Sequence, residues 1–274
     1  MEYASNKKHN YHTKNRKKEK NMAVKIAITN QKGGVGKTTT AINLADALKH
    51  CNYKVLFVDL DPQNNSTSTY QAKVDDEYTI YDVLKGECET KDAIQTTVFG
   101  DILVGDPQLT TLEFQLLQKP NGFMAVKKAL KSVEENYDYI IMDTPPNLGI
   151  FMGNALTAAN GIIIPVLAEK YAVDGLGKLI ETFNDVLEST NPELKIYGVL
   201  LTAYDARTKL GRETKRQLPE IGEEFGFHVF ETPVRICQNI RDAQTEQVSL
   251  FDRYGNCNGA VDYANVVKEL LEEV

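Results

Sequence analysis

The chain has 274 residues, 42% of them apolar and 25% charged, with a net charge of −7. That length supports a sizeable core and one large or two small domains, and the composition excludes a disulfide miniprotein, a fibre, a disordered chain and a membrane bundle. The four cysteines, Cys51, Cys88, Cys237 and Cys257, form no CxxC pair, which argues against structural zinc or a disulfide framework and points to a reducing cytoplasm.

Taken in chain order, residues 1–21 come first, with seven basic and two acidic side chains, so that the remainder carries −12. Almost no aliphatic residue interrupts this run, and it reads as a disordered basic tail. Three roles are open to it: a solvated extension, an arm that touches DNA, or a start-site artefact. The last arises because Lys18-Glu19 is encodable as a ribosome-binding sequence just upstream of Met22. No apolar run follows the tail's charges, so no signal peptide is expected, and the longest uncharged apolar stretch, Gly161 to Ala168, is too short to span a bilayer.

From Val24 the chain alternates strand and helix. Strands are expected at Val24–Thr29, Tyr53–Val58, Ile102–Val104, Tyr137–Met142, Gly161–Val166, Ile196–Leu201 and Phe227–Phe230, from short β-branched or apolar runs. Helices are expected at Thr38–Lys49, Gly122–Glu135, Val173–Glu188, Thr208–Phe225 and Ala260–Leu271. This alternation predicts an α/β fold: a doubly wound, mostly parallel sheet with helices on both faces, in a single domain over 22–274.

Between the first strand and first helix lies Lys32-Gly33-Gly34-Val35-Gly36-Lys37-Thr38-Thr39. Glycines let backbone N–H groups turn onto a phosphate chain, the helix N-terminus adds positive potential, Lys37 reaches the β/γ-phosphates and Thr38 suits Mg²⁺. The ordinary P-loop would have glycine at position 31; this chain has Gln31, and a second lysine, Lys32, inside the loop. The second strand ends in Asp59-Leu60-Asp61-Pro62-Gln63. Both carboxylates are expected to point toward the phosphates, with Asp61, past the strand end, freer to position an attacking water. An apolar strand then runs into Asp143, followed by Thr144-Pro145-Pro146. Asp143 is expected to hold Mg²⁺ through water, so Thr38, Asp61 and Asp143 are the metal-side candidates. A phosphate chain with Mg²⁺ is the expected ligand.

Residues 30–45, NQKGGVGKTTTAINLA, closely resemble the deviant Walker A motif of ParA-type ATPases, the partition branch of the ParA/MinD group. The resemblance extends over about residues 23–272. It implies an ATP-sandwich homodimer in which Lys32 crosses to the partner subunit's phosphates, and a catalytic set of Lys32, Lys37 and Asp61. It also implies an ATPase that is slow, stimulated by a ParB-like centromere-binding protein, and bound to double-stranded DNA without sequence preference. The stretch from Gly198 to Thr208 resembles the family strand that ends near the adenine base, which makes Thr202, Asp205, Pro233 and Arg235 the adenine-side candidates. After Arg235 the chain follows the chromosomal ParA pattern only loosely, a departure that favours a plasmid or mobile-element branch.

An acidic body requires any DNA contact to come from a local basic patch. Residues 206–217 carry five basic side chains and one acidic. On a helical wheel Leu210, Thr214, Leu218, Ile221 and Phe225 share an arc of about 80°, and Lys209, Arg212, Lys215 and Arg216 lie opposite. One face packs and the other is basic, with Pro219 expected to kink or restart the helix. The basic face is either solvated without a ligand or, as the resemblance implies for Arg207 and its neighbours, a DNA contact to which Arg235 adds. A MinD-like membrane-positioning ATPase would need a basic amphipathic C-terminus; this one carries Glu269, Glu272 and Glu273 against Lys268, so no membrane partner is expected. An iron–sulfur relative lacks the paired cysteines it needs, and a ligase of the dethiobiotin synthetase type fits Lys32 and the DLDPQ run poorly. A replication or copy-number regulator of the same superfamily stays open.

Overall fold

The computed structural model describes residues 22–169 and 172–274; the basic tail and its possible roles lie outside the described residues. In chain order the elements are β1 (Val24–Ile28), α1 (Lys37–His50), β2 (Val55–Asp59), α2 (Asn65–Thr69), α3 (Ile80–Lys85), β3 (Ile94–Thr97), β4 (Gly100–Leu103), α4 (Leu109–Leu117) and α5 (Ala125–Leu130). Then come β5 (Tyr139–Asp143), α6 (Ile150–Ala158), β6 (Gly161–Leu167), α7 (Ala172–Ser189), β7 (Lys195–Thr202), α8 (Lys209–Phe225), α9 (Gln238–Glu246), α10 (Leu250–Tyr254) and α11 (Asn258–Glu273).

The strands form one sheet in the order β3-β4-β2-β5-β1-β6-β7, parallel throughout except for the β3–β4 pair. Side chains alternate across it, as a pleated strand requires. Ile26, Ile28, Phe57, Ile141, Ile163 and Leu200 pack with α1 and α11 on one side. Ala27, Leu56, Val58, Ile140, Met142, Ile162, Val199 and Leu201 pack on the other with α4 to α8. Helices on both faces are why these strands are near-continuous in apolar residues. Because the central strands are parallel, their carboxyl ends lie along one edge, where a doubly wound sheet places its ligand crevice. The loops after β1, β2, β5, β6 and β7 all open there.

Three expected elements differ. Phe227–Phe230 is not a sheet strand; only Val229 bridges Val199, with the Val199 N–H donating to the His228 carbonyl at 2.9 Å and the Phe230 N–H to the Val199 carbonyl at 3.0 Å. Gly226, at φ 73°, closes α8 immediately before it, and the segment then runs along β7 to place 233–235 at the strand's far end. The stretch Gly122–Glu135 is helical over Ala125–Leu130, flanked by 3-10 turns at Gly122–Met124 and Glu134–Asn136. Finally, α8 runs unbroken through Pro219. Its buried residues are Gly211, Thr214, Leu218 and Gly222, whereas Leu210 and Phe225, expected on the packed face, are 42% and 50% exposed. The two glycines let α8 settle closely on the chain beneath, since a Cβ at Gly211 would lie 2.5 Å from the Asp205 carbonyl oxygen and one at Gly222 2.7 Å from that of Phe227. The packed stripe thus includes both glycines, and Leu210 and Phe225 lie outside it.

Candidate active site

The loop from Lys32 to Gly36 leaves β1 and enters α1 through two positive-φ glycines, Gly34 at 75° and Gly36 at 86°. A side chain at either would strain the backbone, and these turns let the loop curl around the start of α1. Its outer edges are pinned. Asn30 donates from Nδ2 to the Pro165 carbonyl at 2.7 Å and accepts the Lys32 N–H at 3.0 Å. On the other side, the Thr202 hydroxyl at the end of β7 sits 2.8 Å from the Val35 carbonyl and 3.1 Å from that of Val166. Thr39 accepts a bond from Gln244 of α9 at 2.9 Å.

Lys37 is buried and curls back over the loop, its Nζ donating to the Lys32 carbonyl at 3.0 Å. Burial lowers its proton affinity, and the neighbouring carboxylates of Asp143 and Asp61 oppose that shift. Asp61 is likewise buried, and its Oδ1 accepts the Gln63 N–H at 3.0 Å. The Lys32 ammonium, by contrast, is half exposed and forms an ion pair with Glu169, just past β6.

Asp59 and Asp143 end adjacent strands in direct register. Asp143 is fully buried; Ser66 donates to its Oδ2 at 2.6 Å, while its Oδ1 has no hydrogen-bond partner. Burial raises its proton affinity first and the charge of Asp59 second, with the Ser66 and Thr38 hydroxyls opposing. A buried carboxylate oxygen without a donor, beside the first turn of α1, fits a cation. Thr38 and Asp143 are the side chains that would hold Mg²⁺ there, with Asp61 close enough to raise Asp143 further.

Asp59 departs from expectation, because its carboxylate does not face the phosphate loop. Its Oδ2 accepts from the backbone N–H and hydroxyl of Thr67 at 2.9 and 2.7 Å, and its Oδ1 from the Asp61 N–H at 3.1 Å. Complete burial makes such internal donors obligatory, and the side chain turns toward them. Ser66, Thr67, Glu169 and Gln244 went unrecognised in the sequence. A run such as Asn-Asn-Ser-Thr-Ser-Thr carries no apolar period, and Glu169 lies 137 residues from its lysine.

The adenine-side candidates gather beyond the end of β7. The Tyr204 N–H donates to the Val234 carbonyl at 2.9 Å and the Val234 N–H to that of Leu201 at 2.8 Å, which brings Pro233 and Arg235 alongside Thr202 and Asp205. Three of the four are already engaged, Thr202 through its hydroxyl on the Val35 and Val166 carbonyls. Arg235 forks onto Asp262 of α11, with a 2.6 Å ion pair, and Asp205 is held by Arg207, whose hydrogen bonds lower the carboxyl to about 2.

From Arg207 into α8 the basic side chains are exposed, and each has a partner. Arg207 is 87% exposed beside Asp205, Lys209 pairs with Glu213 at 3.6 Å, and Arg216 with Glu220 at 3.9 Å. Arg212 donates to the Ala206 and Arg207 carbonyls at 2.9 Å, and Lys215 lies over the Tyr204 ring, 5.5 Å from its centroid. Exposed pairs of this kind contribute little to stability.

A glycine loop between a central parallel strand and its helix, a buried lysine, and carboxylates at the ends of β2 and β5 define a P-loop nucleotide-binding protein. The chain belongs to the AAA_31 family, described as an AAA domain, whose model matches residues 23–196. It is 40% identical to the sporulation initiation inhibitor protein Soj of Bacillus subtilis over 250 residues, 89% of this chain and 97% of that protein. Identity to the chromosome partitioning protein ParA of Caulobacter vibrioides is 36% over 253 residues, 90% of this chain and 93% of that protein. Among solved structures, that of cobyrinic acid a,c-diamide synthase from Mycobacterium smegmatis with bound ADP and magnesium superposes with a TM-score of 0.79 at 33% identity, covering 92% of this chain and 95% of that one. A plasmid partition protein of Borrelia burgdorferi bound to AMPPNP gives 0.76 at 25% identity, covering 92% and 100%. Among the described residues, no helix is long and apolar enough to cross a membrane.

Proposed function

We propose that this chain is a DNA-partition ATPase that binds Mg²⁺·ATP, pairs with a second copy around it, holds double-stranded DNA in that state and is reset by slow hydrolysis stimulated by a ParB-like partner. The observation that carries this reading is the convergence of Lys37, Asp61 and Asp143 at the mouth of a loop that also contains Lys32. Lys37 stabilises charge on the β/γ-phosphates, and the loop N–H groups together with the start of α1 hold the phosphate chain. Asp61, past the end of β2, orients water for attack on the terminal phosphate. Mg²⁺, when held by Thr38 and Asp143, supplies charge neutralisation at the phosphates. Lys32 reaches a partner copy's phosphates once it leaves Glu169.

Nonspecific DNA binding falls to Arg207, Lys209, Arg212, Lys215 and Arg216, the cluster in 206–217 where five basic groups meet one acid in a net-acidic chain. Arg235, held by Asp262, contributes less. The test is fluorescence anisotropy of a random-sequence duplex across a salt series, with ATP, ADP or no nucleotide, on the full chain and on the chain begun at Met22. Binding only with ATP and weakened by salt, in both proteins, is the expected result. Equal binding in all nucleotide states, or none, overturns the partition reading.

A further inference from the structure

The five residues of α2, Asn-Ser-Thr-Ser-Thr, are poor helix formers, and so short a helix does not hold itself together in water. Besides the Gln247 amide, which donates to the Ser68 carbonyl at 2.8 Å, two side-chain contacts fasten it to the ends of two strands. Thr67 grips Asp59 Oδ2 with both its N–H, at 2.9 Å, and its hydroxyl, at 2.7 Å, and that hydroxyl also accepts the Gly105 N–H at 2.9 Å. Ser66, its neighbour, donates to Asp143 Oδ2 at 2.6 Å. Both residues are buried, at 0% and 2% exposure, and the two carboxylates stand opposite one another on β2 and β5.

This arrangement leaves Asp143 one oxygen to offer. Oδ2 is taken by Ser66, and Oδ1, buried and without a partner, is the atom left for a cation. The same short helix is joined to Asp61 by three residues, and the Asp61 N–H is itself held on Asp59 Oδ1 at 3.1 Å. Asp59 therefore ties the start of the Asp61 loop and the middle of α2 to one fixed point, and Ser66 carries that register across to Asp143.

We propose that Ser66 is a positioning residue that fixes the metal-facing oxygen of Asp143, and that Thr67, through Asp59, sets the register in which it does so. The loop that carries Asp61 and the carboxylate that holds Mg²⁺ then move as one unit. The inference rests on the reading of Asp143 as a Mg²⁺-side residue. Partners that orient a metal-binding side chain typically change metal affinity 10–100-fold when removed.

The test is the binding of a fluorescent ADP analogue as free Mg²⁺ is titrated, with a parallel titration in EDTA and a thermal melt for each variant. Ser66→Ala is expected to raise the Mg²⁺ concentration for half-maximal enhancement about tenfold, while affinity in EDTA stays as in wild type. Thr67→Val, which removes the hydroxyl without a large change of volume, is expected to shift the same Mg²⁺ midpoint although Thr67 does not touch Asp143. Thr67→Ser, which keeps the hydroxyl, is expected to restore it. Ser66→Ala with wild-type Mg²⁺ dependence overturns the positioning role; Thr67→Val that lowers only the melting temperature overturns the link through Asp59. A wild-type protein whose nucleotide binding ignores Mg²⁺ fails earlier and differently, since it removes the metal reading itself.

Discussion

Replacing Glu169 by glutamine should strengthen ATP-dependent self-association. The Lys32 and Glu169 side chains are 48% and 45% exposed, so their ion pair is a surface pair, with a contribution of about 0.2–1 kcal/mol. If Lys32 must leave Glu169 to reach a partner copy, each dimer breaks two such pairs, about 0.4–2 kcal/mol in all. At about 1.4 kcal/mol per factor of ten, Glu169→Gln should tighten the dimer roughly 2- to 30-fold. Sedimentation velocity over a concentration series, with a non-hydrolysable ATP analogue, measures this directly. The difference should shrink at high salt, because an exposed pair is screened. An unchanged or weakened dimer for Glu169→Gln at low salt would refute the idea that this pair opposes association.

Lys37→Ala should abolish detectable nucleotide binding by equilibrium titration, since the buried ammonium is the positive side chain that Asp143 and Asp61 surround. Asp61→Ala should keep ATP affinity within a few fold yet lose turnover and remain on DNA; a phosphate-release assay showing rapid hydrolysis by this variant would contradict the role given to Asp61. His50 near the end of α1 bonds Asp46 and Asp252, which raise it to about 9 from the ordinary 6.5. Its contribution to stability is therefore complete below about pH 6.5 and fades as pH rises through about 9, because only the folded state still holds the proton in that window. The shift corresponds to an upper figure of about 3.4 kcal/mol, reduced to about 1–2 kcal/mol because the ring is a third exposed. The difference in urea stability between wild type and His50→Gln should fall between pH 6.5 and 9.5, and a constant difference would show that the pair is not charged.

How much of this was legible before folding depended on whether a signal was local. The strand-glycine loop-helix order and the apolar strands ending in Asp59 and Asp143 announce a parallel sheet and its ligand edge. By contrast, α6 escaped notice because all nine of its residues are buried, so its sequence lacks the one-sided period of a surface helix. The edge strand β3, Ile-Gln-Thr-Thr, escaped because its alternation is weak and it pairs antiparallel at the sheet margin. Asp59 was misjudged for a different reason. Strand position placed it correctly at the ligand edge, but the direction of its carboxylate was decided by Thr67, eight residues on, in a segment that resembles a loop.

The charges at the carboxyl edge of the sheet are unbalanced in opposite senses on its two sides, and this favours a ligand that is both anion and cation. Asp143 and Asp59 are fully buried as neighbours, and burial raises the proton affinity of both, with the charge of Asp59 adding to the rise at Asp143 and that of Asp61 to the rise at Asp59. Lys37, a few residues into the phosphate loop, shifts the other way, losing proton affinity to burial even with two carboxylates near it. A lone anion at this edge would relieve Lys37 and penalise the aspartates, and a lone cation would do the reverse. A metal–polyphosphate pair meets both needs at once, with the polyphosphate against Lys37 and the loop N–H groups and the metal against Asp143. The charge balance thus favours a metal–polyphosphate ligand at this edge, and the hydrogen bonding of Asp143 leaves it the one oxygen, Oδ1, that Ser66 does not occupy.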